Sequence, residues 1–215
     1  MHFDLAAGSL RDTYNLMIGL VAPRPIAWIT SLDLDGRLNA APFSAYNYLG
    51  VDPPIVAIGV ANRPGKQIVG KDTARNIRHR GEFVINVVNE SLGEAMNLTA
   101  IDFPPEINEL EIAKLETVPS EKVSVPRIAA APAALECREH ATLEIGRSRV
   151  ILGVVVSIFV RDELIDPAGP YVRATELHSI GRMNGLSTYT RTRDLFQMER
   201  QDFAQWQTKN AKKEL

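Results

Sequence analysis

With 215 residues, the chain is long enough for one domain with a sizeable core, and it reads as a single domain over 1–215. Hydrophobic residues make up 45% and charged residues 23% of it, with a formal charge of -2 and a pI near 6.1. That balance excludes a disordered chain and a generally basic, nucleic-acid-binding surface. Cys137 is the only cysteine, which excludes an internal disulfide and a cysteine-based metal site. The four histidines, His2, His79, His140 and His178, are too scattered for a metal-ligand spacing. The N-terminus lacks a basic segment followed by a long apolar one, and no run reaches the ~18 apolar residues of a membrane span. A cytoplasmic location without membrane contact is expected.

In chain order, Ser9 to Asp12 has a capping-box spacing that opens a helix. Tyr14, Met17, Ile18 and Val21 supply its apolar face, and Pro23 and Pro25 stop it. Residues 26–32 and 38–43 read as strands joined by the polar tip Asp33-Leu34-Asp35-Gly36-Arg37, where Gly36 can take a positive φ. Ser44 to Asn47 ends this ribbon in small and hydroxyl residues. Such residues cap turns, and they also leave backbone N–H groups free to face a ligand. Asp52-Pro53-Pro54 leads into a third strand over 55–61.

Between Asn62 and Arg80 stand six basic residues, Arg63, Lys66, Lys71, Arg75, Arg78 and Arg80, against the single acid Asp72. Asp72-Thr73 is the expected N-cap of a helix running to about His79, and a helix N-terminus presents unpaired N–H groups to an anion. A solvated basic helix face would give the same charge pattern. A strand over 82–88 follows, with Phe83, Ile85 and Val87 on one face and Val84, Asn86 and Val88 on the other. Ser91 to Glu94 reads as a capping box for a helix ending near Thr99. Prolines break up 100–131 around a short helical piece at 107–114, and 134–146 and 149–160 form a long antiparallel pair. A turn cluster at 166–170 precedes the C-terminal segment.

Taken together, the spaced motifs resemble one family. They are Arg24-Pro25-Ile26-Ala27, Asn39-Ala40-Ala41-Pro42-Phe43-Ser44, Asp52-Pro53-Pro54, Lys71-Asp72-Thr73 with Asn76-Ile77, and Glu82-Phe83-Val84-Ile85-Asn86. Later come Pro126-Arg127-Ile128, Leu135-Glu136-Cys137, Gly181-Arg182-Met183-Asn184-Gly185 and Tyr189. Their order and spacing, over roughly residues 10 to 200, resemble the flavin reductase-like, FMN-binding split-barrel proteins. The resemblance implies a mainly β fold with peripheral helices, a six-stranded antiparallel split barrel that binds one FMN per subunit at a homodimer interface. A homodimer also suits the two apolar faces of 82–88 and the apolar run 150–160, which a small barrel would leave partly uncovered. The segment 100–131 is then expected to cover the barrel mouth or to pack on the partner subunit.

Residue by residue, the resemblance places Thr30, Ser31, Ser44, Ala45 and Asn47 along the isoalloxazine and ribityl chain. It puts Arg63, Lys66, Lys71 and Thr73 at the phosphate, with Lys71 and Thr73 foremost, and Arg182 and Tyr189 by the flavin or the subunit boundary. His178 is given a structural or substrate-contact role. The implied activity is an FMN-dependent oxidoreductase passing hydride or electrons to or from a small molecule; the alternative is a flavoprotein carrier or FMN-holding module serving a partner protein. The Gly-Asp-His triplet of many two-component flavin reductases is absent, so NADH or NADPH is one candidate co-substrate among others, and a partner oxygenase one candidate acceptor. Arg182-Met183-Asn184-Gly185 stands where the flavoredoxin-like branch has Arg-x-Gly-Gly, and Asn can hold the same left-handed turn. Hydride transfer at flavin N5 is the cofactor's own chemistry, so no catalytic side chain is assigned.

Overall fold

The computed structural model describes residues 1–61, 71–185 and 187–211. Helix α1 (Leu10–Leu20) precedes strands β1 (Ala27–Leu32), β2 (Leu38–Phe43), β3 (Tyr46–Val51) and β4 (Pro54–Ala61). Helix α2 (Asp72–Arg80), strand β5 (Glu82–Asn86) and short helices α3 (Gly93–Leu98) and α4 (Glu109–Ile112) follow. Two-residue strands β6 (Thr117–Val118) and β7 (Arg127–Ile128) lead to the long strands β8 (Ala133–Ile145) and β9 (Ser148–Val160). A small ribbon, β10 (Ile180–Arg182) and β11 (Tyr189–Arg191), and helix α5 (Phe203–Ala211) complete the order.

The main sheet runs β2-β1-β5-β8-β9-β4-β3 with antiparallel neighbours throughout. The six expected strands are present, and β3 is a seventh. Its two outer neighbours come together because the β2–β3 turn lies against β4: Gly59 N donates to Ala45 O at 2.6 Å. A Cβ on Gly59 would sit 2.9 Å from that of Ala45, so only glycine allows this closure. At the opposite end of the ribbon Gly36 takes φ 82 and Leu32 pairs with Leu38, the hairpin expected from the polar tip.

Inward side chains of six strands, Ile29, Phe43, Ile58, Phe83, Cys137 and Ile151 among them, form the barrel core, and α2 plugs it with Ala74 and Ile77. Outside β1 and β2, Trp28, Leu92, Met96, Leu110 and Ile128 make a second cluster. The two-faced strand is correctly phased: Phe83 and Ile85 point inward and Val84 outward. Its cover, however, comes from its own chain, since Val123 and Val125 close over Val84. The segment 117–128 is tied down there by Glu136, whose buried carboxylate accepts from Glu121 N (2.9 Å) and Lys122 N (2.6 Å). The outer face of β5 therefore gives no argument for a second subunit.

Local caps differ from expectation in two places. The N-cap of α2 is Lys71 and makes no side-chain capping bond; Thr73 is buried and its hydroxyl is used elsewhere. Ahead of α3, Asn89 rather than Ser91 caps the turn Glu90–Leu92, accepting from Leu92 N. Ser9 does cap α1, but the apolar face of that helix is exposed, with Tyr14 62% and Met17 51% accessible. Tyr48, Leu49 and Val51 of β3, and Leu195, Phe196, Phe203 and Trp206 further on, are exposed as well. Among the described residues no helix is long and apolar enough to cross a membrane.

Candidate functional site

The end of β2, the start of α2, α3 and the β10–β11 ribbon border three adjoining hollows. The first, about 140 Å³, lies between Asn39, the Lys71 to Thr73 turn, Asp102 and Glu109. The second, about 210 Å³, is walled by Phe43, Ser44, Met96, Asn97, Arg182 and Tyr189. Both include Pro42 and Ala100, so they are two ends of one trough. Neither alone reaches the roughly 300 Å³ at which ordinary small-molecule sites begin, so a ligand of nucleotide size has to span both. A third hollow, about 410 Å³, opens beyond Asn97 and Tyr189 and is bordered by Glu90, Glu94 and Arg191.

The first hollow is wired from behind. Thr73 Oγ1 donates to Asn39 Oδ1 at 2.8 Å, and Asn39 Nδ2 donates to Glu109 Oε1 at 2.7 Å. The second Glu109 oxygen accepts from Ala40 N at 3.0 Å. Burial pushes the Glu109 carboxyl above the usual range; the Ala40 N–H and the Asn39 amide pull it back, and the charge of Asp72 adds to the upward shift. Lys71 Nζ stands 3.9 Å from Asp102, while Asp72 is paired with Arg75 at 2.6 Å. Among the described residues this end thus carries more carboxyl groups than ammonium groups. Arg63 and Lys66 lie outside the described residues.

Of the predicted contact residues, Ser44, Lys71, Thr73, Arg182 and Tyr189 line the trough. Thr30 and Ser31 do not: both are fully buried behind it. Thr30 gives its proton to Pro126 O (2.8 Å) and accepts from Asn86 Nδ2 (3.3 Å). Ser31 gives its proton to Asn39 Oδ1 (3.4 Å) and accepts from Asn76 Nδ2 (3.2 Å). Their hydroxyls are spent on joining the barrel to its surroundings, and neither side chain borders a hollow. Ala45 in the β2–β3 turn and Asn47 on β3 are exposed and border none of the three hollows; Asn47 Oδ1 accepts from Tyr48 N. His178 likewise lies off the trough and turns the chain, with φ 49 and its carbonyl accepting from Glu90 N at 3.0 Å.

At the other end, Arg182 stacks over Tyr189, 4.6 Å from the guanidinium carbon to the ring centre, and Tyr189 Oη donates to Asn97 Oδ1 at 3.2 Å. The Arg191–Glu90 pair and the Ile180 N–H on Val88 O tie this ribbon down, and so does a residue to which sequence reasoning gave no role. The guanidinium of Arg24 donates from Nη1 to Ile18 O and Val21 O, both at 2.7 Å, from Nη2 to Met183 O at 2.5 Å, and from Nε to Ser44 Oγ at 3.5 Å. Its backbone also pairs with that of Arg182. An arginine locked between two prolines is the one local signal that could have pointed to it. Glu109 and Asn39, 70 residues apart in sequence, had no such signal.

Comparison with known proteins fits this arrangement. The chain is 37% identical to the 2-nitrobenzoate 2-nitroreductase of Pseudomonas fluorescens, with TM-score 0.85 and 94% and 98% of the two chains covered. Against nitrilotriacetate monooxygenase component B from Bacillus cereus the identity is 31% and the TM-score 0.86, over 92% and 98% of the chains. An uncharacterized protein of Deinococcus radiodurans is 43% identical over 213 residues, 96% of this chain and 92% of its own. The model of the flavin reductase like domain matches residues 20–178, a span that takes in the barrel, α2 and the first hollow, and the chain belongs to that family.

Proposed function

We propose that the protein is an FMN-dependent oxidoreductase whose trough holds the cofactor, phosphate towards Lys71 and Thr73 and ring towards Ser44, Arg182 and Tyr189. The observation that carries this is the trough's two contrasting ends. One has an ammonium, a hydroxyl and the N-terminus of a nine-residue helix; the other has Phe43, Met96 and Tyr189 as apolar and aromatic walls with a guanidinium beside them. Anion binding at a helix N-terminus and a flat apolar wall for a ring are what a flavin mononucleotide requires. Bound FMN supplies the hydride or electron transfer. The chain's part is to orient it, to shield one face and to place donors near the reduced ring. Arg182 is the charged side chain best placed for the last task.

The third hollow, past Tyr189, is where an electron donor or acceptor would approach. The nitroreductase and the monooxygenase component among its relatives support a small oxidised molecule or an oxygenase partner as acceptor, with NADH or NADPH as candidate donors. Exposed apolar side chains on α1, β3 and the C-terminal segment support a homodimer, and a stable one should bury about 2,000 Å² or more. Sedimentation at micromolar concentration tests this, and a monomer that keeps FMN would remove the subunit boundary from the reading. For the cofactor, apoprotein is titrated with FMN and riboflavin. Lys71→Ala should weaken FMN by roughly 10-fold to 150-fold, the worth of a hydrogen bond to a charged group, and leave riboflavin nearly unchanged. Equal losses would mean that the phosphate sits elsewhere. Anaerobic addition of NADH or NADPH then separates turnover from carriage: rapid bleaching of the flavin supports an enzyme, persistent colour a carrier.

A further inference from the structure

Both polar groups of the Asn39 side chain are committed. Its Oδ1 accepts from Thr73 (2.8 Å) and Ser31 (3.4 Å), and its Nδ2 donates to Glu109 Oε1 (2.7 Å). An ionised carboxylate can only accept, so while Glu109 carries its charge the amide nitrogen of Asn39 must face it and the carbonyl must face the two hydroxyls. A hydroxyl has one proton. That of Thr73 goes inward to Asn39, which leaves only lone pairs for the hollow that Thr73 lines. Phosphate oxygens that are ionised are acceptors too, so this arrangement turns the wrong side of Thr73 towards an anion. Nearby, Asn76 Oδ1 is buried without a partner, so the network as it stands is one proton donor short.

Turning the Asn39 amide over reverses its polarity towards both hydroxyls; Ser31, which then accepts from Nδ2, turns its own proton to Asn76, whose amide inverts with it so that Asn76 Oδ1 gains a donor. Asn39 Nδ2 also donates to Thr73 Oγ1, the Thr73 proton is released into the hollow, and Asn39 Oδ1 needs a donor from Glu109. A protonated carboxyl supplies it, and its second oxygen can still accept from Ala40 N. We propose that Glu109 is a proton-coupled positioning residue: protonating it inverts Asn39 and hands the Thr73 proton to an oxyanion in the hollow, so that the ligand binds together with one proton from solvent. The inference rests on the reading that puts the FMN phosphate at this end. Besides Glu109, the titratable groups facing the hollow are Lys71 at the N-cap of α2, Asp72 on its first turn and Asp102 on the loop after α3. Burial already favours the protonated form of Glu109.

The sign follows from linkage. The bound form holds one proton more, so FMN affinity falls as pH rises through the raised Glu109 pKa, while riboflavin, which lacks the phosphate, shows no such fall. Calorimetric titration of apoprotein in two buffers of different ionisation enthalpy counts the protons. Wild type should take up as much as one proton more with FMN than Glu109→Gln does. The second ionisation of the phosphate, near about pH 6, is common to both proteins and cancels in the difference. Thr73→Val should lose the extra uptake and weaken FMN by roughly 10-fold. In ligand-free protein, the Asn39 side-chain amide resonance should move with the Glu109 titration. Glu109→Asp, which keeps a titrating carboxyl, should shift the midpoint rather than abolish uptake, and serves if Glu109→Gln does not fold. Equal proton uptake by wild type and Glu109→Gln, or a Glu109→Asp midpoint identical to wild type, overturns the inference. If instead Lys71→Ala and Thr73→Val leave the preference for FMN over riboflavin intact, it is the phosphate placement that fails, and this coupling with it.

Discussion

The two ends of the trough are built on different principles. At the α2 end the walls belong to the barrel: Ile77 and Ala74 sit in the core, Thr73 and Asn76 are buried, and the hydroxyls behind them are bonded to β1 and β2. At the Tyr189 end the wall is a ribbon of two three-residue strands outside the main sheet, attached mainly by polar links from Arg24, the Tyr189 hydroxyl, the Ile180 N–H and the Arg191–Glu90 pair, with Ile180 and Tyr189 as its apolar contacts. Positions fixed by close packing cannot shift without cost, whereas a ribbon on a few polar clamps can be re-aimed by changing one of them. In this reading the invariant part of the ligand, its phosphate, meets the rigid end, and substrate variation is left to the adjustable one.

The α2 end is most sensitive at Ile77. Fully buried at the foot of α2, it ties the helix to the barrel, and Ile77→Ala should lower the unfolding free energy by about 2–5 kcal/mol in urea titrations. Preference for FMN over riboflavin should shrink with it, since the N–H groups at the start of α2 are displaced. Stability unchanged within about 1 kcal/mol would mean that α2 is not held by the core. Next in size is Arg24→Ala, which removes the clamp on the ribbon. The expected cost is about 1.5–3 kcal/mol, because hydrogen bonds to a charged group are being lost. Here FMN and riboflavin should weaken together, since the affected end holds the ring they share, and Arg24→Lys should not restore binding, because an ammonium cannot fork to the separate carbonyls. A loss confined to FMN would reverse the assignment of the two ends. Smaller again is Tyr189→Leu: a half-buried cation–π pair is worth about 1 kcal/mol and leucine keeps an apolar contact with the second cluster, so both flavins should lose roughly 5-fold in affinity with little change in stability.

How far each end was legible in the sequence follows from the same contrast. The α2 end is written in short-range pattern, with Lys71-Asp72-Thr73 and Asn76-Ile77 on one helix and an alternating strand directly after it. Fold class, hairpin and strand phase were readable for that reason. Strand β3 was not, because an edge strand with nearly all of Tyr46 to Val51 turned outward, and with a register shift between Tyr48 and Gly50, has no alternation to read. The buried hydroxyls of Thr30 and Ser31 were not legible because a hydroxyl at a strand end looks alike whether it meets a ligand or a buried asparagine; only the partner tells them apart. Arg24 to Met183 and Glu109 to Asn39 are contacts between distant segments, and no local spacing encodes them. The segment 100–131 was opaque for a related reason: its role is set by Glu136, Val84 and Trp28 on the sheet beneath rather than by periodicity of its own.

The smallest expected effect belongs to Arg78→Ala, and it is the one that tests whether position or charge governs the α2 end. Arg78 is on the same helix as Thr73 but at its far end, with a side chain 58% accessible and paired to Glu144 at 2.8 Å. That Glu144 oxygen also accepts from Arg149 at 2.9 Å, so removing Arg78 leaves the carboxylate with a cationic partner and strands no charge. An exposed pair of this kind is worth at most about 1 kcal/mol to stability. Its effect on a phosphate at the helix N-terminus is a screened interaction over a distance comparable to the ~10 Å Debye length. FMN affinity should therefore change by less than about 3-fold, and that change should shrink further when salt is raised, while the Lys71→Ala loss persists. If Arg78→Ala costs as much as Lys71→Ala, and both effects fade together with salt, the basic helix acts as a diffuse field around the trough and no cradle exists at the α2 end.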